Sequence, residues 1–294
     1  KMREFQAHLP RVLNSEFSGV SKITGILSNS SPDTIIDIRV DAVGYNSTGE
    51  IVGGGLTTIT FIPGNKQVGF KITGYFKEEP TSIIFFPRKT YLTTMNANTE
   101  LDQNLIVVDS NYALFDSTLG GGYIISNNGN QAICRFDTYL TIYDQDGTTC
   151  EVLTSEGNHI FSGETTGISS GPIFLPPACN YRDFELFFFP LETNNLELFN
   201  NPLKAENATY ISSANPMVTL NISNSYSKSI SETIVYVLLF NEAGEIINGG
   251  FAFPDPIPGN GSVDVEVYLS PMGEEEPADI EAYPVFTTWT SIGD

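Results

Sequence analysis

Histidine is almost missing from this chain: His8 and His159 are the two copies in 294 residues. Neither lies at metal-ligand spacing from the other or from a cysteine, so no imidazole-built metal centre is expected. A lone loop histidine reads as a structural or solvated residue. Composition alone does not exclude a Ser-His-Asp triad, but no Gly-x-Ser-x-Gly nucleophile elbow is expected. Basic residues are also scarce, 14 against 35 acidic ones, for a formal charge of −21. Such a chain is repelled by phosphate backbones and anionic lipid surfaces, and no basic patch relieves the acidity, so nucleic acid is not an expected partner. The acidity reads first as solubility. No apolar run approaches the roughly 18 residues that span a bilayer, so no membrane insertion is expected of this chain. Its opening, Lys1-Met2, is polar and carries no signal peptide, as in a mature or trimmed chain; an anchor upstream stays open.

Cysteine occurs three times, an odd number, at Cys134, Cys150 and Cys179. Their spacing matches no zinc pattern. Cys134 shares its parity with Phe136, Leu140 and Ile142 and reads as a buried apolar residue. A disulfide involving Cys179 is one reading, and its connectivity is not legible in the sequence. Tryptophan occurs once, as Trp289. Lectin-like modules usually present exposed aromatic platforms, and most of the 20 Phe and 13 Tyr here fall in strand patterns that read as core.

What the chain has in abundance is repetition. Ser28-Asn29-Ser30 with Gly49, Ser126-Asn127-Asn128 with Gly147, and Ser223-Asn224-Ser225 with Gly244 keep one spacing, 20 residues from Asn to Gly, at offsets of 98 and 195. Residues 24–72 align without gaps on residues 219–267, with 17 of 49 positions identical. Ile62-Pro63-Gly64-Asn65 matches Ile257-Pro258-Gly259-Asn260. The middle copy keeps the frame, reads as having lost that turn, and carries a Gly- and Pro-rich stretch over 157–177.

Within a copy the pattern is β. Ile36, Ile38, Val40 and Ala42 share one parity; Asp37, Arg39 and Asp41 share the other. That is a half-buried strand. The matching strand Ile230–Phe240 becomes apolar on both parities and should be covered on both faces, or line a contact with another copy. Asn46, Asp144 and Asn241 each open a turn closed by glycine three residues on. Asp144-Gln145-Asp146-Gly147 looks like the start of a calcium loop, but position 12 is Ser155 rather than a bidentate Glu, and the turn reading is preferred. A short helix is conceivable over 4–12. The expected fold is all-β: three tandem immunoglobulin-like antiparallel β-sandwich modules of about seven strands each, at 1–98, 99–200 and 201–294.

Gly25-x-x-x-Asn29-Ser30, the alternating strand, the Gly turn and the Pro-Gly turn together resemble the FxLYD-type domain of bacterial extracytoplasmic proteins. Leu140-Thr141-Ile142-Tyr143-Asp144 matches the name-giving strand best. The resemblance implies a sandwich, often on lipoproteins or envelope proteins, and brings no catalytic residues. No catalytic, cofactor or metal residue is assigned from sequence, although 35 carboxylates do not exclude a glycosidase pair by number. The expected function is a non-enzymatic binding or structural protein, stalk-like or adhesive, of a bacterial cell envelope, with a protein or glycan partner. The alternatives are a carbohydrate-binding module set for glycan utilisation, or an enzyme or inhibitor accessory built on the loop 157–177.

Overall fold

A computed structural model describes residues 5–14, 19–90, 104–194, 200–213, 215–272 and 276–293. The chain is all-β and built from small antiparallel sheets. Residues Phe5–Asn14 form strand β1, paired with β2 (Val20–Asn29), so the conceivable N-terminal helix is not formed. The rest of the first copy is β3 (Ile35–Tyr45), β4 (Ile51–Ile62), β5 (Gln67–Phe76) and β6 (Ser82–Lys89). The middle copy contributes β7 (Leu105–Phe115), β8 (Thr118–Asn127), β9 (Ala132–Asp144), β10 (Thr149–Gly157), β11 (Thr165–Ser169), β12 (Ile173–Phe174) and β13 (Tyr181–Asn194). The last copy is β14 (Leu203–Ile211), β15 (Met217–Asn224), β16 (Ile230–Phe240), β17 (Ile246–Ala252), β18 (Ser262–Tyr268) and β19 (Asp279–Ile292). Among the described residues the first and last copies therefore show six strands each, against the seven or so expected.

Strand register repeats with the sequence. Ser28 faces Gln67, Ser126 faces Thr165, and Ser223 faces Ser262. The first strand of each copy meets the second at Phe5–Asn29, Leu105–Asn127 and Leu203–Asn224, and each such pair carries one bulge. The closing proline repeats as well: Pro87 faces Val40, and Pro284 faces Val235. It occupies an edge strand in both, the place in a sheet where a missing N–H is tolerated.

The segment 157–177 is not a loop. It contains β11, which takes on β8 the place that β5 takes on β2, followed by the short β12. Nor is the second turn lost. Ile160-Phe161-Ser162-Gly163 stands where Ile62-Pro63-Gly64-Asn65 stands in the first copy. Gly163, Asn65 and Asn260 share a left-handed φ of 73°, 57° and 52°. Asn65 and Asn260 donate their N–H groups to Ser31 O and Tyr226 O, two residues after the buried asparagine, while Gly163 donates to the carbonyl of the buried asparagine itself, Asn127 O. Glycine has replaced asparagine at a position where both tolerate positive φ.

One buried side chain ties each copy together. Asn29 Nδ2 reaches the carbonyls of Asp33 (2.8 Å), Ile62 (3.1 Å) and Pro63 (3.1 Å), and its Oδ1 accepts from Ser31 N–H (2.9 Å). Asn127 does the same with Gln131, Ile160, Phe161 and Gly129. Asn224 repeats it with Lys228, Ile257, Pro258 and Tyr226. All three are essentially buried. An amide carries donors and acceptors on one planar head, so it satisfies carbonyls from two separate turns where an apolar residue would leave them bare.

By compactness the chain forms two units. One comprises Lys1–Ala97, Asp137–Ser155 and Pro176–Phe189; the other comprises Asn98–Phe136, Glu156–Leu175 and Pro190–Asp294. Strands of the middle copy contribute to both. The first unit holds the disulfide Cys150–Cys179, while Cys134 is buried outside it. Closing 29 residues of chain restricts the unfolded state by roughly 3–4 kcal/mol in the chain-entropy account.

Replacing Asn224 by alanine strands carbonyls from two turns in a dry environment. The expected loss is about 2–3 kcal/mol, read from urea unfolding of the full chain. A loss below ~0.5 kcal/mol would contradict this role for the amide.

Candidate functional site

The residues that sequence patterns offer for chemistry are engaged in the fold. Asp144 Oδ1 accepts the N–H groups of Asp146 (3.0 Å) and Thr148 (2.8 Å), as Asn46 and Asn241 do in their own turns. The carboxylate is used as a turn cap, as its asparagine counterparts are. Among the described residues no group of three His, Cys, Asp or Glu side chains is placed to hold a metal ion. Contrary to expectation, the chain does contain the Gly-x-Ser-x-Gly spacing of a hydrolase nucleophile elbow, at Gly167-Ile168-Ser169-Ser170-Gly171. Ser169 instead ends strand β11, is buried, donates to Gly121 O (3.0 Å) and accepts from Gly171 N–H (3.1 Å). The motif needs a strand-to-helix turn, and β12 follows instead.

The most organised surfaces are the joints where one copy lies on another. In the first unit, the outer face of β2 and β5 and the end of β4 meet strands β9, β10 and β13. Thr60 N–H donates to Tyr139 Oη (2.8 Å), and Gly69 N–H to Thr141 Oγ1 (3.1 Å). Thr24 Oγ1 donates to Thr149 O (2.9 Å), and Lys71 is ion-paired with Glu151. Phe61 stacks on Phe189 at 4.8 Å and takes the edge of Tyr139 at 5.3 Å. Burial holds the Tyr139 hydroxyl above its usual range, with Thr60 opposing.

The second unit builds the same joint with shifted numbers. Its β8 and β11 meet β16, β17 and β19. Asn158, the counterpart of Thr60, donates to Tyr236 Oη (2.9 Å), the counterpart of Tyr139. Burial pushes the Tyr236 hydroxyl up to about 12. Ile124, Leu238, Phe240 and Ile246 pack together with Tyr283 against them. Strand β16 is thus buried on both faces: Val235, Val237 and Leu239 enter the core of the last copy, and Leu238 and Phe240 enter the joint. That is the two-sided cover its sequence demanded.

Both joints need glycine. A Cβ on Gly69 would lie within 3.0 Å of Thr141 and Val152, and a Cβ on Gly167 within 3 Å of Tyr283 and Leu238. The two glycines are the same position in successive copies. At such a place a glycine admits a neighbouring element that any side chain would hold away.

The second joint has two further ties. Phe161, on the turn of the middle copy, is 2 % exposed within the core of the last copy and meets the Phe286 ring at 5.6 Å. Glu164 fixes that turn by accepting from Phe161 N–H (2.7 Å) and from Asn201 Nδ2 (3.0 Å). Burial raises its carboxyl above the usual range, and those two hydrogen bonds oppose the shift. His159 is buried, its backbone N–H donates to Phe286 O (2.9 Å), and its Nδ1 has no hydrogen-bond partner. Burial lowers its pKa below the ordinary imidazole value, and carbonyls of Phe286 and Thr287 pull weakly the other way. His8 lies on β1.

Not all aromatics are core. Trp289 is 73 % exposed, and Phe253 and Phe251 are exposed with rings 5.9 Å apart in an edge-to-face pair. Tyr75, Phe174 and Tyr268 are exposed as well. Among the described residues no helix is long and apolar enough to cross a membrane.

No family model matches the chain, and no curated protein does. Solved structures give weak likenesses. The C-terminal globular domain of an oligosaccharyltransferase from Pyrococcus abyssi is 13% identical at TM-score 0.20, over 99% of this chain and 77% of that one. Red sea bream transglutaminase is 7% identical at TM-score 0.20, over 76% of this chain and 29% of that one. A Bacteroides uniformis beta-glucuronidase is 13% identical at TM-score 0.18, over 81% and 26%. This chain therefore spans under a third of the transglutaminase and of the glucuronidase. At that level of similarity none of these proteins informs the activity of this one.

Gly167→Val should cost about 2–3 kcal/mol by overpacking the second joint, and should expose the joint to limited proteolysis. Unchanged stability would show that the surfaces separate freely. His159 supplies a pH signature. Its folded pKa lies below the unfolded value, so its neutral form favours folding. That contribution is present above about pH 6.5 and is lost as pH falls through the imidazole range. Glu164, with a raised folded pKa, acts in the opposite sense at lower pH and loses its contribution as pH rises. His159→Gln is expected to flatten the fall in unfolding free energy between pH 7 and 5; equal slopes for both proteins would assign the fall to other groups.

Proposed function

We propose that this chain is a non-enzymatic, extracytoplasmic binding or structural protein of a bacterial cell envelope, composed of three tandem immunoglobulin-like β-sandwich modules. The observation that carries the reading is the joint used twice at equivalent residues, Thr60–Tyr139 and Asn158–Tyr236. Such joints spend the polar and aromatic groups of successive modules on fixing one module to the next. A stalk or a rigid presenter needs that, whereas flexible linkers give independent domains. The disulfide Cys150–Cys179 supports an oxidising compartment. The likeness of Leu140–Asp144 to the FxLYD-type strand supports the same location.

A second reading, a carbohydrate-binding module set of a glycan-utilisation system, is favoured by the exposed Trp289 and by the Phe251–Phe253 pair. Exposed rings offer the apolar faces on which sugars stack. The third reading, an accessory built on a loop over 157–177, is disfavoured because that stretch is strand and turn.

Two measurements separate these readings. In protein purified from its native host, a thiol reagent should titrate one cysteine after unfolding without reductant, and three after reduction. Three thiols before reduction would remove the oxidising-compartment reading. On a glycan array the stalk reading expects no binding. Binding that disappears in Trp289→Ala or Phe253→Ala would establish the carbohydrate reading in its place.

A further inference from the structure

The face of the first copy formed by β3, β4 and β6 is the counterpart of the faces that receive the preceding copy in both joints. Tyr139 and Tyr236 sit at the position of Asp41, and Thr141 and Leu238 at that of Val43. In this first copy nothing described covers the face. Leu56 and Phe86 flank Asp41, and Ile84 flanks Val43, by direct strand pairing. Ile51 pairs with Tyr45 at the end of the same face. Ile51, Leu56, Phe86 and Ile84 are 61, 52, 48 and 47 % exposed. Large apolar side chains gathered on one side of a sheet mark an interaction surface more often than a solvated one. Asp41 does not disrupt the patch, because Arg39 (2.6 Å) and Arg88 (3.2 Å) neutralise it.

We infer that this face docks one further β-sandwich module of the same build, distinct from the three copies described here. That module would lay its second and fifth strands across β3, as the first and middle copies lay theirs across β9 and β16. The two internal joints define what it must present. Where modules pack, the outer face offers an Ile–Gly pair on neighbouring strands, Ile26 with Gly69 and Ile124 with Gly167. The glycine admits the facing strand and the isoleucine fills the space beside it.

The last copy of this chain lacks that pair and is not the partner. Asn221 and Asp264 stand at those two positions, hydrogen-bonded to each other at 3.0 Å, and Glu266 replaces Lys71. The outer face of β15 and β18 thus ends in polar residues, as the terminal unit of a repeat array does. The outer face of the last copy is closed, whereas the β3, β4 and β6 face of the first copy is receptive.

This inference rests on the modular reading above, and its test is arranged to fail separately from it. The natural chain should sediment as a monomer to high concentration in 0.3 M salt, a level about sufficient to screen its acidity. A donor variant with Asn221→Ile, Asp264→Gly and Glu266→Lys recreates the packing face of the first copy. It should associate head to tail in a concentration-dependent series, the open-ended outcome of a heterologous contact. Adding Leu56→Asp and Phe86→Asp to that variant should return it to a monomer that still forms a one-to-one complex with the natural chain. Circular dichroism and cooperative melting confirm that each variant is folded. A folded donor variant that never associates, or an association that survives Leu56→Asp and Phe86→Asp, overturns the inference. Natural chain that dimerises through the same residues also overturns it, by making a second copy the occupant. A chain whose joints come apart on Gly69→Val with no loss of stability would instead remove the modular reading.

Discussion

The close approach of two strands at Gly69 and again at Gly167 is the constraint on which the rest of this structure depends. A sheet that buries one face in the core of its own copy leaves the other to water unless something covers it. Here the absent Cβ lets a neighbouring sheet come near enough for Thr141, or for Leu238 and Tyr283, to exclude that water. Once the sheets are that close, the polar groups left at the contact must find partners. The tyrosine hydroxyls accept from Thr60 and Asn158, and Lys71 meets Glu151. The hydrogen bonds define the register of the joint, and the buried apolar area supplies the driving force.

Inside each copy the corresponding constraint is the buried asparagine. Three carbonyl-rich turns cannot be closed by hydrophobic side chains, and three asparagines at the same offset close them with the same atoms. This explains why Ser-Asn survives where most other positions have changed. It also explains why the spacing from asparagine to the second turn stays fixed in the middle copy although the turn residues differ.

Much of this was legible in the sequence. Period-two alternation, the Asn-to-Gly spacing and the apolar run in Ile230–Phe240 announced strands, repeats and a strand covered on both sides. The turn at Ile160–Gly163 was hidden because residue identity changed while φ did not: glycine and asparagine serve a left-handed position alike. Glycines and prolines over 157–177 read as a loop because two of the four glycines, Gly157 and Gly167, serve close packing in strands rather than turns. The joints were legible only in part. Parity shows that a face is apolar but not which surface lies on it, and Gly69 looks identical in sequence to a residue that merely weakens a strand. The exposure of Phe253 was illegible for the same reason: phenylalanines and tyrosines in a β-rich chain read as core until their neighbours are known.

Phe161 ties the order of synthesis to the order of folding. Its ring belongs to the hydrophobic core of the copy made after it. As the chain emerges, the turn that carries Phe161 leaves the ribosome before strands β14 to β19, and domains generally fold in that direction. The last copy therefore condenses around a side chain that an earlier segment already holds in place. It acquires a template rather than only a neighbour, and its core is completed from outside its own stretch of sequence.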